Sequence, residues 1–377
     1  MKNTPFPPLT SRPGRLAPAS SENIARGSAA GVAVLCLVQF VDVLGVTELL
    51  SAVPRMLAAV SAPASAASAL LTGYAMCFGG LLMVGAWLGD RFGHRRVLLY
   101  GIAVFAAGSL CAALASSVAM LIAARCLQGA SAAASVPASL RLLIAATPHQ
   151  AARRAAMSGW SAAGAAAGAS GFVLGGVLTQ LLGWRAMFWL NLPLALAIAA
   201  GVLRVTPPSR LARRPALPLW AGALFGTGVA GLVVGASALE PPSRPALGLA
   251  ATGAGAGLLA VVTWAGRRGR DPLIPAEALR HRALRAGTAA AFLNTATTSS
   301  AMAIATLELQ RSQHLSPAAC GLRLLPVSVG AIAGAALATP ALRRWTPRAV
   351  IGLGLAAIAV ADATLVALDH SGWLLAG

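Results

Sequence analysis

Apolar residues run through the chain in about eleven blocks of roughly twenty, separated by short breaks rich in Arg or Pro. A helix rising about 1.5 Å per residue needs roughly twenty apolar residues to cross a ~30 Å hydrocarbon core. The pattern predicts spans at 30–53, 66–88, 97–115, 118–140, 158–182, 186–203, 218–238, 246–265, 286–307, 317–340 and 350–368. The expected fold class is an all-α polytopic membrane protein with about eleven transmembrane helices.

Two breaks are longer than the rest, 204–217 and the Arg-Asp-Pro-containing 266–285. They divide the chain into a basic leader at 1–29, a six-span N-terminal bundle at 30–203, inner loops with two linker spans at 204–285, and three spans of a second bundle at 286–377. The first apolar block is too long for a signal-peptide core and follows a basic, Pro-rich leader, so it reads as a retained span.

Composition agrees. Of 377 residues, 57% are hydrophobic and 10% charged, and the mean hydropathy is +0.75, which excludes a soluble enzyme. The net charge of +19 could suggest nucleic acid, yet the arginines lie between spans instead of on one solvated face. With the N-terminus cytoplasmic, most of the 29 basic residues fall in inner segments, and the outer segments keep Arg55, Arg185, Arg244, Arg311 and Arg323. Such asymmetry is the positive-inside pattern of a cell-membrane protein, so the expected partners are the bilayer and a small molecule, not nucleic acid. Cys36, Cys77, Cys111, Cys126 and Cys320 all sit in apolar blocks without metal-ligand spacing, so no metal or cofactor is expected. His94, His149, His281, His314 and His370 fall in loops or at span ends. Trp87, Trp184, Trp189, Trp345 and Trp373 sit at expected membrane interfaces. No catalytic cluster appears at a common depth, which argues against an enzyme.

After span 2 comes Gly85-Ala-Trp-Leu-Gly-Asp-Arg-Phe-Gly-His-Arg-Arg96. Asp90 among Arg91, Arg95 and Arg96, with Gly93 free to take positive φ, makes a compact ionic latch at the inner face. This loop resembles the signature loop of the major facilitator superfamily, with Ala86 in place of a glycine and His94 in place of a basic residue. Arg125-Cys-Leu-Gln-Gly in span 4 is similar to that superfamily's second motif. Gly183-Trp-Arg-Ala-Met-Phe-Trp-Leu-Asn-Leu-Pro193 resembles the turn between spans 5 and 6 of its fourteen-span drug:proton antiporters. Arg270-Asp-Pro-Leu-Ile-Pro275 and Leu309–Pro326 resemble the inner loop before span 9 and the junction between spans 9 and 10.

Intramembrane charges mark functional positions by default. Asp42 lies ~12 Å below the outer surface and Arg125 ~10 Å below it, so the two are expected to face each other. An Asp in mid-span 1 is typical of the antiporter family, where a Pro follows nine residues later; here Pro54 follows after twelve. Glu48 is rotated about 120° from Asp42, placing it on another cavity wall or in the outer vestibule. Asp362 in span 11 is a further candidate. In span 5, Gly164, Gly168, Gly171 and Gly175 form a stripe within about 60° of one face, for close helix approach. With Gly176 they belong to a stretch resembling the antiporter motif, in which Phe172 replaces a proline and Ala167 a glycine.

The resemblance implies the major facilitator fold and proton-coupled efflux of hydrophobic or cationic small molecules by alternating access, with the proton role carried over to Asp42; Arg125, Glu48 and Asp362 are expected to share in proton coupling as intramembrane charges. The chain carries no Gly-x-x-x-x-Gly-Lys-Ser/Thr loop for nucleotide, which favours a proton gradient. The alternative is a truncated, non-transporting fragment or partner subunit of such a transporter, since spans 12 to 14 have no counterpart. On that reading Asp90 lacks the helix it would engage, and the chain alone is expected to confer no efflux and to be poorly stable in detergent.

Overall fold

A computed structural model describes residues 21–63, 65–147, 149–206, 219–239, 245–268, 281–311 and 315–370. Twelve helices occupy them: α1 (Ser21–Ala59), α2 (Ala66–Phe92), α3 (His94–Ala113), α4 (Val118–Ala145), α5 (Gln150–Leu181), α6 (Arg185–Val205), α7 (Leu219–Leu239), α8 (Pro245–Arg267), α9 (Arg282–Arg311), α10 (Pro317–Arg323), α11 (Leu325–Arg344) and α12 (Pro347–His370). Among the described residues, α1 to α8 each carry a stretch long and apolar enough to cross a membrane, and Pro347–Ala361 of α12 is a shorter apolar segment. Many large side chains face outward, among them Tyr100, Leu196 and Phe292, each more than 70% exposed. In water such a surface would aggregate, whereas in lipid it is the solvated face.

The elements begin where local chemistry stops the preceding one. Gly93 takes φ +92°, allowing α2 to end and α3 to start without an intervening loop, and Gly183 at φ +83° makes the turn from α5 to α6. Ser117 caps α4 by accepting from the Met120 N–H at 3.3 Å, and Ser316 caps α10 through the Ala319 N–H at 3.2 Å.

The tenth expected span is not continuous. The chain breaks at Leu324 between α10 and α11, two residues before Pro326. Proline has no N–H to bond the carbonyl four residues back, and its ring crowds that carbonyl, so the apolar pattern runs on through a backbone that cannot. Hydropathy sees side chains and misses this break.

Helix direction follows from contacts between glycines and facing backbone. On α5, Gly164, Gly168, Gly171 and Gly175 meet Gln39, Val43, Thr47 and Ser51 of α1 in the same order, so these helices run parallel. On α4, Gly129 lies against the Tyr74 backbone of α2, and Gly85 of α2 lies against Ala133, again parallel. Helix α3 meets α4 antiparallel, Gly101 against Ser131 and Ser135 and Gly108 against Gln128 and Ala124. These directions are those of a chain crossing back and forth. One buried cluster joins α1, α3, α4 and α6 through residues such as Leu35, Leu98, Leu143 and Ile198; another holds Leu49, Met56, Leu121 and Phe188 nearer their opposite ends. Helices α7 and α8 pair with each other, and α7 reaches α2 through a Gly80–Gly226 contact. Helices α10 and α11 pack on α5, where Phe172 meets Cys320 and Leu324.

Candidate functional site: buried charges among α1, α3, α4 and α6

Asp42 on α1 is buried, 8% exposed, inside the bundle. Its Oδ2 accepts a hydrogen bond from Ser135 Oγ of α4 at 3.1 Å, and its backbone carbonyl accepts one from the Tyr74 hydroxyl at 3.4 Å. Arg125 on α4 is buried still more completely. Its Nη1 donates to the Gly45 carbonyl at 3.1 Å and to Gln128 Oε1 at 2.7 Å, and its guanidinium lies 4.7 Å from the centre of the Tyr74 ring. Gln128 passes the chain on by donating to Ser109 Oγ of α3 at 2.9 Å. The Tyr74 face receives the cation as a neutral π partner.

The expected facing of Asp42 and Arg125 is not an ion pair. Glu48 is the acid on α1 that faces Arg125, and it lies beside Asn191 of α6, whose Nδ2 stays outside hydrogen-bonding geometry. At 4% exposure Glu48 belongs to the bundle interior and not to an outer vestibule. Counting residues along a helix sets height; it does not set which way a side chain points around the axis. Asp42 and Glu48 are about 120° apart on α1, so one turns to the serine face of α4 and the other to Arg125 and α6.

This arrangement predicts its own coupling pattern. Replacing Arg125 by Gln leaves Glu48 buried without its nearby cation and should lower the unfolding midpoint. Adding Glu48→Gln should recover much of it in thermal unfolding of the purified protein, whereas adding Asp42→Asn should recover less. Equal recovery by the two acids would place Arg125 between them.

At the C-terminal end of α2, Asp90 Oδ1 lies 3.3 Å from His94 Nε2, one helical turn on, and the acid is half exposed. His94 packs over Gly89, where a Cβ would strike its ring. The neighbouring arginines serve other partners as well: Arg95 Nη2 donates to the Leu203 carbonyl near the end of α6 at 2.7 Å, and Arg91 lies 5.4 Å from the Trp87 ring. Arg96 is exposed. The loop thus ties α2 and α3 to α6, with histidine in the seat next to Asp90.

The glycines of α5 do what their spacing suggests. Gly171 and Gly175 press on the α1 backbone at Thr47–Glu48 so closely that any side chain would collide, and Thr47 Oγ1 donates to the Ala167 carbonyl at 3.3 Å. Gly176 is buried beside them. The stripe therefore fixes the stretch of α1 that carries Glu48. Trp184 is buried, 5% exposed, edge-on to Phe188, with the Arg185 guanidinium over it at 4.2 Å; it is a core residue and not part of an interfacial belt. Arg185 also donates to the Ala115 carbonyl at 2.9 Å, closing the turn onto the connection between α3 and α4. Asp362 falls in α12, with its side chain outside the described residues.

Ser109, Ser131 and Ser135 were not singled out by sequence reasoning, and Gln128 and Asn191 entered only as members of longer motifs, although all are buried polar residues of the same interior. A signal existed: Gln128 stands three residues from Arg125, and Ser131 and Ser135 extend that helix face at steps of three and four, which puts small polar groups in line below a buried cation.

Residues 35–377 match the family model described as Major Facilitator Superfamily. The chain is 32% identical over 358 residues to a lincomycin resistance protein of Streptomyces lincolnensis, covering 92% of this chain and 73% of that protein. It is 31% identical to the cephamycin export protein CmcT of Amycolatopsis lactamdurans, covering 85% and 67%, and 31% identical to the puromycin resistance protein pur8 of Streptomyces alboniger, covering 90% and 68%. A match that starts inside α1 and takes in the latch, the buried arginine, the glycine stripe and every later helix makes this chain a transporter and not an enzyme: a multi-pass membrane protein that belongs to the major facilitator superfamily.

Proposed function

We propose that this protein exports hydrophobic or cationic small molecules across the cell membrane in exchange for protons, with its N-terminus cytoplasmic. The observation that carries the reading is Asp42, a buried carboxylate in mid-helix with a hydroxyl donor and no cation in contact among the described residues. Such a group is costly as an anion and becomes comfortable on taking a proton, which is what a coupling site must do. Relatives named for resistance to or export of lincomycin, cephamycin and puromycin, compounds of unlike structure, support efflux of drug-like molecules. Alternating access would then come from rocking of the bundle at 30–203 against the helices that follow 285, joined through the segment 204–285. The α1–α5 glycine contact and the latch at Asp90 are the elements that keep one bundle rigid during that motion.

The test is transport by purified protein in liposomes loaded with a fluorescent cationic dye. An imposed proton gradient should drive dye movement that a protonophore abolishes; movement indifferent to the gradient would overturn proton coupling. Orientation is tested separately. Cysteine introduced at Ser243 should react with an impermeant thiol reagent on intact cells, and cysteine at Ser209 should not, because the arginine-rich segment 204–217 is expected inside. The reverse pattern would invert the topology.

A further inference from the structure

Histidine is the side chain whose ordinary titration falls between pH 5 and 8, and His94 sits where α2 hands over to α3. Its Nε2 faces Asp90 Oδ1 at 3.3 Å, which puts the proton of the neutral ring on Nε2 and leaves a bare lone pair on Nδ1. Nδ1 is buried and has no hydrogen-bond partner. The ring lies on Gly89 so closely that a Cβ there would strike Nδ1, and the Gly89 carbonyl already accepts from the Gly93 N–H at 2.9 Å. The imidazole as a whole is only partly covered, its side chain 24% exposed, so solvent lies beside it. Two charged groups of the packed elements face it: Asp90 of α2 attracts a positive ring, and Arg141 of α4 repels one. On the same helix as His94, Arg95 is tied to the Leu203 carbonyl of α6.

These contacts give the two protonation states different seats. A second proton must go onto Nδ1, where it makes a charged N–H pressed on Gly89 with no acceptor, and a buried donor left without a partner is unfavourable. Asp90 rewards the charge only through Nε2, which the ring can keep facing while Nδ1 turns out to water. We propose that His94 makes the α2–α3 junction a proton-operated joint: the neutral ring is seated on Gly89 and holds the junction, and the protonated ring leaves that seat and frees it. Acid on the face of the membrane where α2 meets α3 then loosens the corner that Arg95 ties to α6. The joint is separate from proton coupling, since the group that titrates is not Asp42, whose partners are Ser135 and Tyr74.

The test is amide hydrogen exchange, read by mass spectrometry on the segment 89–97 of the purified full chain at about pH 7.5 and about pH 5.5. His94→Gln is run beside the wild type so that the intrinsic pH dependence of exchange cancels. The reporting amides are those of Gly93 and Val97, bonded to the Gly89 and Gly93 carbonyls. The ratio of wild-type to variant exchange should rise roughly ten-fold from the higher pH to the lower. A ratio unchanged between the two would overturn the joint. Gly89→Ala displaces the ring at every pH, so it should raise exchange at the higher pH and remove most of the pH response; a response of wild-type size would show that the seat on Gly89 does not matter. Asp90→Asn withdraws the attraction for a positive ring and should move the transition to lower pH without removing it. Loss of the transition in that variant would assign it to Asp90 and sink the proposal. Asp42→Asn should leave the exchange of this segment as in the wild type, and a transition that vanished with Asp42 would make it a consequence of the coupling site instead. His94→Gln keeps a neutral side chain able to donate to Asp90, so it carries the test even where Gly89→Ala fails to fold.

Discussion

Asp42→Asn is expected to lower proton-driven efflux by roughly ten-fold or more while leaving the protein abundant and folded. Asparagine keeps the size of the side chain and an oxygen that can accept from Ser135 Oγ, now 3.1 Å from the carboxylate, so the α1–α4 contact survives. What it loses is the ability to take up and release a proton. Because the carboxylate has no cation beside it, removing its charge costs the fold little and relieves a buried anion. The result is read in everted vesicles as dye transport under an imposed gradient, with protein level and unfolding midpoint measured alongside. Activity near wild type would pass the coupling role to Glu48. A collapse of protein level would instead make Asp42 a structural residue.

Gly129→Val is expected to remove most of the folded protein from the membrane. A side chain at this position would run into the Tyr74 backbone, and one at Gly85 would run into the Ala133 carbonyl, so the paired helices α2 and α4 would have to separate along their whole contact. Overpacking a tight interface costs about 1–3 kcal/mol even where side chains can move aside, and backbone cannot. The same shift would pull Tyr74 from the Arg125 guanidinium and strip a buried cation of a partner. Gly253→Ala is the control: nothing lies within 4 Å of the added carbon, and the better helix propensity of alanine, about 1 kcal/mol, should leave the protein unchanged or slightly stabilised. Membrane levels of both variants by immunoblot and their unfolding midpoints check the contrast. Equal behaviour would mean that α2 and α4 are not in backbone contact.

The helices, their order and their crossing directions were written in the one-dimensional pattern. A bilayer accepts only backbone whose hydrogen bonds are satisfied internally, so twenty apolar residues become a helix whatever their neighbours do. The close-packing role of Gly171 and Gly175 was legible for a related reason, since repeated absence of a side chain on one face has few uses other than approach by another helix. The turn at Gly93 was legible too, because only glycine enters that conformation without strain.

Partnership was a different matter. Asp42 and Arg125 share a depth, yet depth leaves rotation about the helix axis free, and the packing of α1 on α4, α5 and α6 turned Glu48 toward Arg125 and gave Asp42 to Ser135. Asp90 stands among arginines in the sequence, but its close side-chain partner is His94, while Arg95 donates to the Leu203 carbonyl at the end of α6. Trp184, placed at an interface by its position near a span end, is sealed in the core by Phe188 and Arg185. The break at Leu324 and the seating of α7 on α2 likewise lie outside the reach of hydropathy. The sequence by itself determined that α1 to α8 are long and apolar enough to cross a membrane, and in which order they come, because solvation by lipid acts on each segment alone. Only the tertiary structure decided which buried charge meets which partner, because that depends on helix rotation, and rotation is set by the summed packing of every neighbour at once.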